Sequence, residues 1–353
     1  MEPRRALVTG ITGQDGAYLA QFLLAKGYEV YGLYRRTSSY NFWRLQALGI
    51  DQKVHLISGD LTDGPSLANA LHESQPQEVY NLAAQSFVGT SFTQPIGTTQ
   101  TTGLGVTRLL DAIKAFDLSI RVYQASTSEM FGRSNVSIMD ESTPFRPASP
   151  YAVAKLYGHW MACTYREAYG LFICNGILFN HESPLRGLEF VTRKVTNAAA
   201  KIALGIQEHV TLGGLTSSRD WGYAPEYVEA MWLTLQQDKP DDYVIATGET
   251  HSIQELVIHA FEAVNLPWEK HVKFSNELIR PLDVEYLKGS YQKAKDTFGW
   301  EPRVKFEQLV QIMVTEDRRR WEQWINGEQI VWDAPTFPND SLTASGNDSR
   351  STR

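Results

Sequence analysis

The stretch that most narrows the possible folds is Ala6-Leu-Val-Thr9, followed at once by Gly10-Ile-Thr-Gly13-Gln-Asp-Gly16. A short β-rich run leads into three glycines, after which Tyr18, Leu19, Phe22 and Leu23 recur at helical spacing. Strand, glycine turn and helix in that order form the first βα unit of a dinucleotide-binding fold. There the missing Cβ atoms let the backbone approach a pyrophosphate at a helix N-terminus. The G-x-x-G-x-x-G spacing departs from the commoner G-x-G-x-x-G, so the strand-to-helix context carries the assignment. Gly10, Thr12, Gly13, Gln14, Asp15 and Gly16 are therefore candidate cofactor-binding residues.

The alternation continues. A second strand, Glu29–Tyr34, ends at Arg35 and Arg36, roughly 20 residues past the glycine turn, where an NAD site usually places an acid for the ribose 2′-hydroxyl. Arginine can instead hold a 2′-phosphate, which favours NADP over NAD unless both are simply solvated loop charges. A third strand, 54–58, is followed by Asp60 and Leu61, placed to flank an adenine. A fourth, 78–82, runs from Leu82 into Ala83, Ala84, Gln85 and Ser86, a small-residue loop suited to pass beneath ribose and phosphates. A helix is predicted over 102–116. Repeated βα units predict an α/β fold: a Rossmann-type, doubly wound parallel sheet with a smaller, discontinuous C-terminal substrate domain.

The next strand, Arg121–Ala125, delivers Thr127 and Glu129 to a strand's carboxyl end, where ligands bind in such sheets. Beyond it, Pro150 opens a helix on which Tyr151 and Lys155, spaced i, i+4, share a face. An ammonium beside a phenol makes a base. Ionising tyrosine near neutrality needs a shift of roughly 3 units, about 4 kcal/mol, which Lys⁺ and a positively charged nicotinamide ring would supply. Tyr-x-x-x-Lys also arises by chance in many helices; its place after a nucleotide-binding signature and a Ser/Thr-rich strand end sets this one apart.

From Asn180 the pattern loosens into turns. Helices are predicted over 191–204, 225–236 and 306–324, and the strand 243–246 is expected to rejoin the sheet. The basic residues Arg186, Arg193, Lys194, Arg219 and Arg280 fall on loops or helix starts, where they could surround the diphosphate of a second nucleotide carrying a sugar. Singly, each also reads as a surface ion pair. A disordered tail is expected from 331 to 353.

A chain of 353 residues with 42% apolar and 21% charged side chains allows about two domains. The expected division is 1–180 for the cofactor, with the strand near 242–248 returning to it, and 181–330 for the sugar nucleotide. A net charge of −7 without a basic stripe argues against nucleic acid. The two cysteines, Cys163 and Cys174, have no metal-ligand spacing and suit a reducing cytoplasm. No apolar leader and no run of membrane-spanning length stand out.

These residues resemble the extended short-chain dehydrogenase/reductase superfamily, and within it the GDP-mannose 4,6-dehydratases, over residues 4 to about 325. The carriers are the motifs at 9–16, 34–36, 125–129 and 149–151, then Gly-Ile-Leu-Phe-Asn-His-Glu-Ser-Pro at 176–184, Phe-Val-Thr-Arg-Lys at 190–194, Arg-Asp-Trp-Gly at 219–222 and Tyr-Val-Glu-Ala-Met-Trp at 227–232. The resemblance implies that Thr127, Glu129, Tyr151 and Lys155 are catalytic and that His181 joins the cofactor set. It implies a sugar nucleotide held by Ser86, Glu129, Asn180, Arg186, Val191, Lys194, Gly213, Arg219, Arg280 and Asp283. A homodimer or homotetramer is implied too, with Arg35 to Tyr40 a candidate interface. The implied reaction removes water from a nucleotide sugar, GDP-mannose foremost, with NADP recycled internally. The alternatives are an NADPH-dependent reductase of a 4-keto-6-deoxy nucleotide sugar and a non-catalytic NADP-binding protein. Three departures bear on the base and the sugar: Arg280-Pro-Leu-Asp283 where the family reads Arg-Pro-Thr-Glu, and Gly214 and Tyr223 where asparagine and histidine are common.

Overall fold

The computed structural model describes residues 3–278 and 282–337, so Arg280 and residues 338–353 of the expected tail lie outside the described residues. Six strands follow one another in the first half: β1 Arg5–Thr9, β2 Glu29–Tyr34, β3 His55–Ser58, β4 Glu78–Asn81, β5 Arg121–Thr127 and β6 Phe172–Leu178. A seventh, Asp242–Ile245, returns to pair with β6. Across the sheet the order is 242–245, β6, β5, β4, β1, β2, β3, and every pairing is parallel. Strands covered by helices on both faces need apolar side chains on both faces. Hence Ala6, Val8, Val79, Tyr80, Val122 and Tyr123 are all fully buried.

One core lies between the sheet and helices Gln14–Ala25 and Ala224–Leu235, built on Leu19, Leu23, Val228 and Met231. The opposite face packs helices Gly64–Ser74, Gly105–Phe116 and Pro150–Tyr169 through Leu67, Leu71, Leu109, Ile113 and Ala162. A separate core joins helices Val191–Ala203, Ile253–Glu262 and Phe306–Ile325 through Val195, Ala199, Val257, Phe261, Val310 and Met313. Among the described residues no helix is long and apolar enough to cross a membrane.

Chain order reverses between β1 and β4, and the glycine turn sits at that switch. Gly10 has φ +70°, and a Cβ there would lie 2.9 Å from the Ala83 nitrogen; one on Gly16 would lie 2.4 Å from the Gly10 carbonyl oxygen. Only glycine fits either position. At the start of the segment expected to be disordered, Trp332 is buried, with its ring centroid 4.8 Å from that of Trp321, and Ala334–Thr336 forms a 3-10 turn. A tryptophan that can cover another aromatic ring has reason to stay packed despite its polar neighbours.

Candidate active site

The sheet's carboxyl edge carries a line of buried polar groups. Thr9 Oγ1 donates to Asn81 Oδ1 at 2.7 Å, Asn81 Nδ2 donates to Gln124 Oε1 at 2.7 Å, and Gln124 Nε2 donates to the Ala125 carbonyl at 3.0 Å. That carbonyl also accepts from Lys155 Nζ at 2.8 Å. Thr9 Oγ1 accepts in turn from the backbone nitrogens of Leu82 and Ala83. The sequence reading missed Asn81 and Gln124. Their signal was present: Val-Tyr-Asn closes β4 and Val-Tyr-Gln recurs within β5, and the pairing sets Asn81 and Gln124 side by side.

Tyr151 and Lys155 project from the buried face of helix Pro150–Tyr169, whose start is fixed by Ser149 capping the Ala152 nitrogen. Burial lowers the Lys155 pKa to about 8, opposed by the negative charge of Asp15. Burial raises the Tyr151 phenol, countered by its bond with Thr127; Glu129 raises it further and Arg186 lowers it. The buried ammonium satisfies itself on the strand-edge carbonyl and lies 6.0 Å from the centre of the tyrosine ring.

Glu129 follows directly. Thr127 Oγ1 accepts from the Glu129 nitrogen at 3.3 Å, starting the 3-10 turn Ser128–Met130. Both residues are 9% exposed. The Glu129 carboxylate accepts no hydrogen bond among the described residues, and it lies near enough to act on Tyr151.

No side chain caps helix Gln14–Ala25, so its N-terminal N–H groups face the edge where a pyrophosphate would sit. Together with the glycine cradle, this fits a dinucleotide. Gln14 Nε2 donates to the His181 carbonyl at 3.1 Å, and Ser183 Oγ donates to Gln14 Oε1 at 2.7 Å. His181 places Nε2 2.8 Å from Asp15 Oδ2 and Nδ1 2.7 Å from the Phe179 carbonyl. Both partners accept, so the ring carries both protons. Burial opposes that charge, yet Asp15 and the Phe179 carbonyl raise the His181 pKa; burial likewise opposes ionisation of Asp15, which His181 draws down to about 2. Arg35 and Arg36 are exposed beyond β2. Asp60 accepts from Thr62, while the Leu61 side chain is buried in the core, leaving only its backbone for an adenine. Leu82, Ala83, Ala84 and Gln85 are half-buried and Ser86 is exposed.

Among the substrate candidates, Arg186 sits 3.1 Å from Glu182, with its guanidinium 3.6 Å from the centre of the Phe190 ring. Phe190 precedes helix Val191–Ala203, whose N-terminus also lacks a side-chain cap and carries Lys194 in its first turn. Asn180 begins a short parallel pairing with Trp221–Tyr223. Arg219 donates to Asp283 at 3.2 Å, and Gly213 has room only for hydrogen against the Leu278 carbonyl. Arg193 does not belong in the diphosphate set. It is fully buried, bound to the equally buried Asp317 at 2.6 Å, and donates to the carbonyls of Pro184 and Arg186.

Residues 7–313 match the family described as GDP-mannose 4,6 dehydratase. GDP-mannose 4,6 dehydratase 1 of Arabidopsis thaliana is 51% identical over 330 residues, spanning 90% of this chain and 91% of that protein. The Homo sapiens GDP-mannose 4,6 dehydratase is 48% identical over 342 residues, spanning 90% and 92%. Among solved structures, UDP-glucose 4-epimerase of Thermus thermophilus in complex with NAD superposes with a TM-score of 0.78 at 27% identity, covering 89% of this chain and 99% of that one.

The Asp15–His181 pair sets a pH window. The depressed Asp15 contributes stability above its unfolded value of 3.8 and loses it as pH falls towards 2. The raised His181 contributes below 6.5 and loses it as pH rises through its folded value. The urea midpoint of the parent should therefore exceed that of His181→Gln most between about pH 4 and 6.5, with the gap closing on either side. A gap that does not vary with pH would remove the ion pair.

Proposed function

As a member of the GDP-mannose 4,6-dehydratase family, this chain is a lyase that removes water from GDP-mannose to give the 4-keto-6-deoxy sugar nucleotide, and we propose that Thr127, Glu129, Tyr151 and Lys155 carry the reaction. The observation behind this is the meeting of a buried phenol, a buried ammonium and an untied carboxylate beside the dinucleotide cradle. A nicotinamide held by residues 10–16, Tyr151 and Lys155 would supply reversible hydride transfer, taking up the C4 hydride and giving it back to C6, so that the cofactor would end each turnover as it began. Tyr151, oriented by Thr127, takes the proton of the 4-hydroxyl. Lys155 stands as a cation behind it, held by the Ala125 carbonyl. With C4 a ketone the C5 hydrogen is acidic; Glu129 removes it and delivers that proton to the C6 hydroxyl, which departs as water, and C5 regains a proton when hydride reaches C6, balanced by the one Tyr151 took from the 4-hydroxyl. A reductase needs the tyrosine and lysine but no carboxylate aimed at C5, which makes Glu129 the deciding residue.

The cofactor proposed is NADP. Arg35 and Arg36 stand where an NAD site would carry an acid, and neither makes an ion pair among the described residues. The pyrophosphate falls to residues 10–16, with His181 fixing that turn, and the ribose to Lys155 and Tyr151. The diphosphate of the sugar nucleotide falls to Arg186, Lys194 and the N-terminus at Val191. The base falls to Arg219, Asp283 and Arg280. Residues 1–180 with the returning strand form the cofactor unit, and the separate core of residues 191–314 belongs to the substrate unit.

A second copy of the chain is proposed to cover Val153, Tyr157 and Trp160, which are 55%, 40% and 56% exposed along one face of the helix bearing Tyr151. Arg35 to Tyr40 would serve a further contact in a tetramer.

Three measurements check these readings. Purified protein given GDP-mannose and no added cofactor should yield a product lighter by one water, while Glu129→Gln should keep its bound nicotinamide and lose about 10²- to 10⁴-fold in rate; parental rates in that variant refute the role. Replacing Arg35 and Arg36 with alanine should weaken NADP⁺ binding about tenfold or more while leaving NAD⁺ nearly unchanged; equal losses for both would favour NAD. Trp160→Glu should shift the sedimentation coefficient to that of the monomer, and an unchanged oligomer would place the interface elsewhere.

A further inference from the structure

We infer that Arg44 is a positioning residue for the dehydration: its guanidinium fastens the glycine turn that receives the dinucleotide to the loop that receives the sugar nucleotide, so that filling one site stiffens the other. Arg44 belongs to neither segment. It sits on the short helix Trp43–Ala47, donates through Nε to the Leu185 carbonyl at 2.7 Å, and donates through Nη1 to the Thr12 carbonyl at 3.1 Å. Its plane lies against Trp43, 4.5 Å from the ring centre. A rigid planar fork can hold two carbonyls in fixed relative positions, which a single ammonium cannot do as well.

Three carbonyls of the loop that Arg44 grips are held by arginines. Arg193 Nη1 donates to the carbonyls of Pro184 at 2.7 Å and Arg186 at 3.0 Å, and Arg320 Nη1 donates to Pro184 at 2.7 Å. Three consecutive carbonyls, those of Pro184, Leu185 and Arg186, are thus fixed. Of the three arginines, only Arg44 also reaches the cofactor turn. The loop carries Arg186, whose charge acts on both Tyr151 and Asp15. Gln14 and Asp15 bridge the same two segments but belong to the proposed dinucleotide site, so changing them would disturb binding directly. Arg44 offers the clean test.

The inference rests on the proposed placement of NADP and GDP-mannose at these loops. The full-length chain, stripped of copurified nucleotide on charcoal, is titrated with GDP in a calorimeter with and without saturating NADP⁺. In the parent, NADP⁺ should tighten GDP binding by about fivefold or more, the low end of coupling between sites. Arg44→Met should bring that ratio towards one and raise the KM for GDP-mannose more than it lowers kcat. Arg44→Lys keeps the charge without the fork; it should lose most of the ratio too, and it decides the matter if the methionine variant unfolds. A parental ratio of one, or variants that retain the parental ratio, overturns the inference while leaving the dehydratase reading intact if GDP-mannose is still turned over. A parent that binds neither NADP⁺ nor GDP overturns both.

Discussion

The site depends on the hydrogen-bonded line that crosses the sheet from Thr9 through Asn81 and Gln124 to the Ala125 carbonyl and Lys155. Each link adds only about 0.5–1.5 kcal/mol net, but each broken link would strand a buried polar group at a cost of about 1–3 kcal/mol. That asymmetry gives the line its authority. It aligns the ends of β1 and β4 with the middle of β5, ties the glycine turn to the loop at Leu82 and Ala83, and fixes the Lys155 ammonium. The glycine turn and Lys155 are thus parts of one connected arrangement.

The second half of the chain solves a different problem. Beyond the short pairing of 180–182 the loop has no sheet to join, and the carbonyls of Pro184, Leu185 and Arg186 are met by side chains instead. Arg193 and Asp317 are both fully buried, an arrangement whose desolvation cost offsets much of its attraction. Removing either partner would leave a bare charge in the core, commonly a loss of about 3–5 kcal/mol. Together with the bond from Arg320 to the Pro184 carbonyl, the pair ties helix Phe306–Ile325 to helix Val191–Ala203 and to this loop.

Much of this was legible in the residues. The glycine turn after a β-rich run, the alternating strands and the i, i+4 tyrosine and lysine required no coordinates, because periodicity and local chemistry determine them. What could not be read was pairing over long range. Arg193 looks like a phosphate ligand in a basic helix start; it is a core residue because Asp317, 124 positions later, comes to meet it. Leu61 looked available to an adenine until the core claimed its side chain. Asn81 and Gln124 are inconspicuous singly and become a unit only when β4 lies beside β5. Trp332, in a segment whose composition reads as tail, packs because Trp321 offers it a surface.

The helix Pro150–Tyr169 has two working sides. Tyr151 and Lys155 look inward, while Val153, Tyr157 and Trp160 look out. A rigid rod cannot turn one side without turning the other, so whatever leans on the outer aromatic residues also sets the bearing of the phenol within. Pressure applied at Trp160 is therefore carried to Tyr151, reaching the phenol from the far side of its own helix.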